Sequence, residues 1–192
     1  GVVIGTVPAS TTVDVDTAVA SGRAAFESGV WSDMHPSDRK TILSRFSDII
    51  MENLQELAVL EALDSGKPIT DCLEIDVPET ATCIRWHGEA QDKLYDQIAP
   101  SSPDGLGLIV REPIGVVAAV LPWNFPLMMM AWKIGPALAT GNSVIVKPAE
   151  QTSLTALRLA SLANQAGVPP GVLNVVTGFG PDVGEPMGRH MD

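Results

Sequence analysis

The strongest constraint on the fold is an alternation of short apolar runs with helix-length segments that begins at Gly115. The apolar runs cover residues 115–121, 143–147 and 171–178, and the segments between them cover residues 126–140 and 153–167. A short, largely apolar run is typical of a strand that is buried on both faces. The order strand, helix, strand, helix, strand predicts a parallel sheet with crossover helices. We therefore expect an α/β protein.

A membrane hairpin is the alternative interpretation of residues 115–146, which contain a single charged residue, Lys133. Pro122, Pro126 and Pro136 divide this stretch into pieces. A transmembrane helix needs about 20 consecutive apolar residues, and none of the pieces is that long. The stretch is predicted to be buried core, and no membrane partner is expected.

The first half of the chain is predicted to be helical. Helices are expected at residues 14–28, at residues 36–64 and at residues 71–95, the last bent or restarted at Pro78. Proline, glycine and serine then punctuate short apolar runs, which indicates a β-hairpin arm. The predicted domains are a helical region over 1–95, an arm over 96–112 and a sheet portion over 113–192.

Charge and cysteine content exclude several classes of function. Residues 1–112 hold 8 Lys and Arg against 19 Asp and Glu, so this part carries the entire net charge of −11. The sequence lacks the basic stripe of a surface that binds nucleic acid. Its histidines also lack the spacing of metal ligands. Two cysteines and no secretory signal predict a cytoplasmic protein with free thiols. The absence of an initiating Met suggests a chain trimmed at its front.

Polar residues and glycines follow each predicted strand. The first strand leads into Leu121, Pro122, Trp123 and Asn124, the second into Lys147, Pro148, Ala149 and Glu150, and the third into Gly180, Pro181 and Gly184. Ligands of open parallel sheets bind beyond the carboxyl ends of the strands. A carboxylate can accept hydrogen bonds from ribose hydroxyls, and a lysine can neutralise phosphate. Together these residues indicate a nucleotide site.

Each residue also has an ordinary structural interpretation. Asn124 could cap the following helix, and Lys147 with Glu150 could be a surface ion pair that contributes little. The glycine spacing misses the G-x-G-x-x-G fingerprint of dinucleotide sites by one residue. These alternatives stay open at the level of sequence.

Several motifs, in order along the chain, resemble the NAD(P)-dependent aldehyde dehydrogenase superfamily. They are "LDSGKPI", "REPIG", "PWNFP", "KIGPALATGNSVIVKPAEQT" and "GVLNVVTGFGPDVG". The helical region looks most similar to the branch that oxidises aminoaldehydes such as γ-glutamyl-aminobutyraldehyde. The resemblance implies N-terminal helices, a β-hairpin arm and an incomplete Rossmann-like sheet.

The resemblance also implies roles for the residues at the strand ends. Asn124 would donate its side-chain N–H to the oxyanion that forms when a thiolate attacks an aldehyde. Lys147 and Glu150 would hold the adenosine ribose and favour NAD over NADP. Residues 121–123 would line the nicotinamide side, and Gly180, Pro181 and Gly184 would flank the adenine end.

The family mechanism requires a cysteine nucleophile and a glutamate base. In the family both lie beyond the third strand, and Cys72 and Cys83 do not match the nucleophile's motif. The 192 residues are therefore expected to be inactive alone. The arm resembles an oligomerisation hairpin, which implies a homo-dimer or tetramer. A truncated, non-catalytic nucleotide-binding or assembly protein and an acylating relative that uses coenzyme A are the alternatives.

Overall fold

The computed structural model describes residues 3 and 5–192 of the chain. The helices are α1 (Thr12–Glu27), α2 (Pro36–Glu52), α3 (Leu54–Ser65), α4 (Ile69–Asp71), α5 (Val77–Ala90), α6 (Pro126–Ala139), α7 (Leu154–Ala166) and α8 (Glu185–Arg189). The strands are β1 (Gln97–Ile98), β2 (Leu108–Ile109), β3 (Val116–Val120), β4 (Ser143–Lys147) and β5 (Leu173–Val175). The predicted α/β class is confirmed.

The parallel sheet follows chain order, β3-β4-β5. Val116 pairs with Ser143, and Val120 pairs with Lys147, so β3 and β4 end at the same level. Val144 pairs with Leu173 on the other side of β4. This register places the loops that follow β3 and β4 next to each other.

Helices cover both faces of the sheet. Ile145 packs with Val15 and Val19 of α1 and with Val183 and Met187 near the chain's end. Its neighbours Val144 and Val146 point to the other face and join the cluster that holds α2, α5, α6 and α7. All five β4 side chains are buried, which is why this strand lacks the alternation of polar and apolar residues seen in half-exposed strands.

Two hydrogen-bonded side chains attach the N-terminal helices to the end of α6. The indole Nε1 of Trp31, which is fully buried, donates to the carbonyl of Leu138 over 2.9 Å. The guanidinium of Arg39 donates to the carbonyl of Ala139 over 3.3 Å and to that of Trp31 over 3.2 Å. Carbonyls at a helix C-terminus have no partner within the helix, and these side chains supply partners.

The single helix predicted over residues 36–64 is wrong, because α2 ends at Glu52 and α3 begins at Leu54. The side-chain amide of Asn53 donates to the carbonyl of Ile49 over 2.8 Å. Asparagine competes in this way with the regular helical pattern. Its backbone leaves the helical region, with φ −103° and ψ 19°.

The helix predicted over residues 71–95 is not restarted at Pro78, because the backbone stays helical from Asp76 into Val77. A π-helical turn, Cys72–Asp76, precedes α5, and Pro78 lies in the first turn of α5. Proline lacks the N–H of a regular helical hydrogen bond, and the wider π-helical turn just before it accommodates this loss. The predicted hairpin is also present, since β1 pairs antiparallel with β2. No helix among residues 3 and 5–192 is long and apolar enough to span a bilayer.

Candidate functional site

The loops after β3 and β4 begin side by side. The backbone N–H of Leu121 donates to the carbonyl of Lys147 over 2.9 Å, and the Leu121 side chain is buried. This bond continues the strand pairing by one residue beyond Val120. The two polar clusters predicted from the sequence therefore start at adjacent points of one sheet edge.

The loop that carries Asn124 faces solvent. Pro122 and Asn124 are exposed, and Trp123 retains 59% of its accessible surface. The helix α6 begins at Pro126, and Phe125 occupies its N-cap position. The interpretation of Asn124 as the N-cap of this helix is therefore wrong. Its amide is exposed at the sheet edge, where a ligand can reach it.

Lys147 and Glu150 form an unequal pair. The ammonium of Lys147 lies 3.5 Å from Glu150 Oε2, and the lysine side chain is 4% exposed against 39% for the glutamate. Lys147 Nζ also donates to the carbonyl of Pro148 over 3.1 Å. Pro148 and Ala149 are buried. A buried ammonium needs compensating partners, so the interpretation as an ordinary surface pair fails for Lys147.

The glycine turn after β5 lies against the lysine. A Cβ on Gly184 would be 3.4 Å from Lys147 Cδ, whereas a Cβ on Gly180 would have open space around it. Gly178 has a φ of +146°, and a Cβ there would be 2.7 Å from Val183. The turn thus requires glycine at position 178 and leaves room above position 180.

Pro181 lies on the side of the glycine turn that faces α1. It lines a cleft of about 490 Å³ beside α1, together with Thr12, Asp16 and Glu185. The structure therefore brings together residues 121–124, 147–150 and Gly184 along one edge, while Pro181 faces the α1 side of the same turn.

Three charged residues next to the Asn124 loop were missed at the level of sequence. Glu61 is fully buried in α3, and its Oε1 accepts from the backbone N–H of Leu127 over 3.2 Å. Lys67 places its ammonium 4.0 Å from the ring centroid of Phe125 and forms an ion pair with buried Asp76. Glu61 could have been found from its position, because it lies one helical turn after Leu57 on the buried face of α3, where a carboxylate is unusual.

The residues at these strand ends occur within a match that extends along the entire chain. The model of the aldehyde dehydrogenase family matches residues 1–192. The chain belongs to this family. It is 58% identical over 192 residues to aminoacetaldehyde dehydrogenase of Pseudomonas aeruginosa, and the match covers all of this chain but 39% of that protein.

Solved aldehyde dehydrogenases have the same fold. An indole-3-acetaldehyde dehydrogenase in complex with NAD+ superimposes with a TM-score of 0.98 at 52% identity, over 100% of this chain and 39% of that one. A γ-glutamyl-γ-aminobutyraldehyde dehydrogenase from Burkholderia cenocepacia J2315 gives a TM-score of 0.92 at 51% identity, over 97% of this chain and 37% of that one. The predicted resemblance is confirmed, and a member of the predicted branch is among these neighbours.

Neither cysteine has the environment of a thiolate nucleophile. Burial raises the pKa of the Cys72 thiol to about 11, and the charge of Asp76 acts in the same direction. Burial also raises the pKa of Cys83 to about 11. A nucleophilic cysteine needs a lowered pKa, so both thiols stay protonated at neutral pH. Within the described residues, no group of three or more His, Cys, Asp or Glu side chains could hold a metal ion.

Proposed function

We propose that these residues form the cofactor-binding part of an aldehyde dehydrogenase that oxidises an aldehyde to a carboxylic acid with NAD+. The observation that carries the proposal is the adjacency of the exposed Asn124 loop and the Lys147–Glu150 pair at neighbouring strand ends. An amide donor and a nucleotide-binding pair at one edge suit a reaction in which an oxyanion forms next to a bound dinucleotide.

The residues present fit a dinucleotide. An ammonium has three N–H donors; Lys147 donates one to the Pro148 carbonyl and lies 3.5 Å from the Glu150 carboxylate as an ion pair, which leaves donors for a ligand. The half-exposed Glu150 carboxylate suits the ribose hydroxyls, and the open space above Gly180 allows close approach. When bound, the nicotinamide supplies the acceptor for the hydride of the aldehyde. A similar solved structure contains NAD+, which supports this choice.

Asn124 would donate its side-chain N–H to the developing oxyanion. The thiolate would come from a residue other than Cys72 and Cys83, because both thiols are protonated. We therefore propose that the 192-residue chain alone does not oxidise aldehydes. The substrate class that we propose is aminoaldehydes, in line with the aminoacetaldehyde and γ-glutamyl-γ-aminobutyraldehyde dehydrogenases that this chain resembles.

The hairpin supports a second proposal, that the protein assembles into a homo-dimer or tetramer. Ile98 of β1 is 70% exposed, and Leu108 of β2 is 61% exposed. The hairpin consists of two short strands with unpaired edges, and such edges promote pairing with another chain. Sedimentation of the chain and of a variant with Ile98→Lys and Leu108→Lys tests this. We expect association in the first and a monomer in the second.

Cofactor choice is tested by titrating the chain with NAD+ and NADP+ while following Trp123 fluorescence. We expect NAD+ to bind about tenfold more tightly or better, because the Glu150 carboxylate repels a 2′-phosphate. Glu150→Gln should reduce that preference. Trp123→Phe identifies the part of the signal that comes from Trp123. Equal affinities for both nucleotides in the wild type would refute the role of Glu150.

Activity is tested on the product of the whole reading frame beside the 192-residue chain. With a panel of aminoaldehydes and NAD+, we expect NADH formation from the former and background rates from the latter. Turnover by the 192-residue chain itself would contradict the proposed division of roles.

A further inference from the structure

The loop that carries Asn124 is held from below by a carboxylate of the N-terminal helical region. Leu127 is the second residue of α6, and backbone N–H groups in a first helical turn have no partner within the helix. Glu61, which lies 66 residues earlier in the chain, accepts this N–H over 3.2 Å. A buried carboxylate at a helix N-terminus also interacts favourably with the helix dipole. Glu61 therefore fixes the start of α6.

A lysine from the same region contacts the residue that follows Asn124. The Lys67 ammonium lies 4.0 Å from the centroid of the Phe125 ring. Its ion-pair partner Asp76 is 1% exposed, and the Lys67 side chain is 18% exposed. A cation over an aromatic face is attracted more strongly when it is partly desolvated. Lys67 therefore holds the Phe125 ring against the helical region.

We propose that Glu61 and Lys67 are positioning residues that set the direction in which Asn124 presents its side-chain amide. Asn124 itself is exposed, so its placement depends on its anchored neighbours. Leu121 is attached to Lys147 on one side, while Phe125 and Leu127 are attached to Lys67 and Glu61 on the other. The proposal rests on the proposed function, since it assigns Asn124 an oxyanion to bind.

The charges around Glu61 make this attachment sensitive to pH. Burial raises the pKa of Glu61 to about 7, and the charge of Asp76 adds to the rise, while the Leu127 amide and Lys67 oppose it. Cys72, in the same turn as Asp76, also interacts with this carboxyl. Glu61 Oε2 has no hydrogen-bond partner among the described residues. An ionised carboxylate accepts more strongly than a protonated one, so the loop is held best above neutral pH.

Nuclear magnetic resonance of the ¹⁵N-labelled chain tests the proposal without cofactor or aldehyde. In the wild type, we expect the Leu127 amide and the Asn124 side-chain amide signals to titrate together, with a midpoint near the Glu61 pKa of about 7. In Glu61→Gln, which keeps an acceptor but cannot ionise, both titrations should disappear. Titrations that persist in Glu61→Gln would assign them to a histidine and overturn the proposal.

Truncation of the Glu61 side chain tests whether it positions the Asn124 loop or only stabilises the fold. Glu61→Ala should speed hydrogen exchange of the Leu127 amide about tenfold, as loss of one charge-assisted hydrogen bond requires, and should displace the Asn124 signals. Asp64→Ala is the matched control, because Asp64 Oδ2 accepts from the Leu154 N–H over 2.8 Å at the start of a different helix. It should change Leu154 and leave Asn124 in place.

Variants of Lys67 test its contact with Phe125, and turnover tests whether Glu61 affects catalysis. Lys67→Met should displace the Asn124 signals, and Lys67→Arg should restore them. In the product of the whole reading frame, Glu61→Ala should lower kcat about tenfold or more at unchanged KM, with recovery in Glu61→Gln. Asn124 signals that stay fixed in both Glu61→Ala and Lys67→Met would overturn the proposal. Failure of the nucleotide titration would instead contradict the proposed function.

Discussion

At the scale of single residues, Asn124 is expected to contribute to catalysis and not to stability. Its side chain is exposed, and substitutions at exposed sites usually change the free energy of unfolding by about 0.5 kcal/mol or less. Loss of one oxyanion donor lowers kcat about 100- to 1,000-fold. We expect Asn124→Ala to have this effect in the product of the whole reading frame, measured as NADH formation. An unchanged kcat would remove Asn124 from the mechanism.

Trp31 is expected to show the opposite behaviour. It is fully buried, and its indole donates to the Leu138 carbonyl over 2.9 Å. Trp31→Phe removes one of the two hydrogen bonds to that carbonyl, the other coming from the Gly141 N–H over 3.0 Å. It also leaves a smaller ring in a fully buried site, and we expect a loss of about 1–3 kcal/mol in the free energy of unfolding by urea. Trp86→Phe is the control, because Trp86 is 62% exposed. Equal losses in the two variants would contradict the role of the Leu138 contact.

At the scale of elements, the contact between α5 and α6 depends on a glycine. A Cβ on Gly135 would lie 2.9 Å from His87 Nδ1, so Gly135→Ala should destabilise the chain by about 1–3 kcal/mol. In a His87→Ala background the clash is absent, and the same change should stabilise by about 0.5–1 kcal/mol because alanine favours helix. Thermal unfolding of the four proteins measures the coupling. Additive effects would show that the two helices do not meet at these residues.

The elements also show how far the sequence alone leads. The apolar runs and the prolines and glycines around them predict β3, β4, α6 and α7, since these signals are local. The break at Asn53 is not predicted, because Leu54 and Leu57 continue the apolar spacing of α2 and conceal it. In the candidate site, the grouping of the residues that follow β3 and β4 can be predicted, because parallel strands end at the same edge of the sheet. The contact of Glu61 with Leu127 is not, because it joins positions 66 residues apart.

At the scale of the whole molecule, one hydrophobic core joins the helical region to the sheet portion. Trp31 and Leu43 belong to the same buried cluster as Leu138 and Leu159, across the boundary predicted near residue 112. The charged residues below the Asn124 loop come from the helical region, whereas the loop belongs to the sheet portion. The geometry of the candidate site therefore depends on how these two parts pack.

Because Glu61 is buried in this packing, the free energy of unfolding should depend on pH. The pKa of Glu61 rises from 4.5 to about 7 on folding, chiefly because the carboxyl is buried. Between these values the unfolded chain releases a proton that the folded chain keeps. Stability therefore falls as pH rises through this window, and the loss is complete above the folded pKa. A shift of this size corresponds to about 3 kcal/mol.

Glu61→Gln removes this titration, so its effect on stability should depend on pH. We expect the stability of Glu61→Gln, measured as the difference from the wild type, to be about 2–3 kcal/mol greater at pH 8 than at pH 5. Urea denaturation at the two pH values measures the difference, with exposed Glu52→Gln as the control for loss of charge. If the effect of Glu61→Gln is the same at both pH values, the carboxylate ionises as freely in the fold as in the unfolded chain.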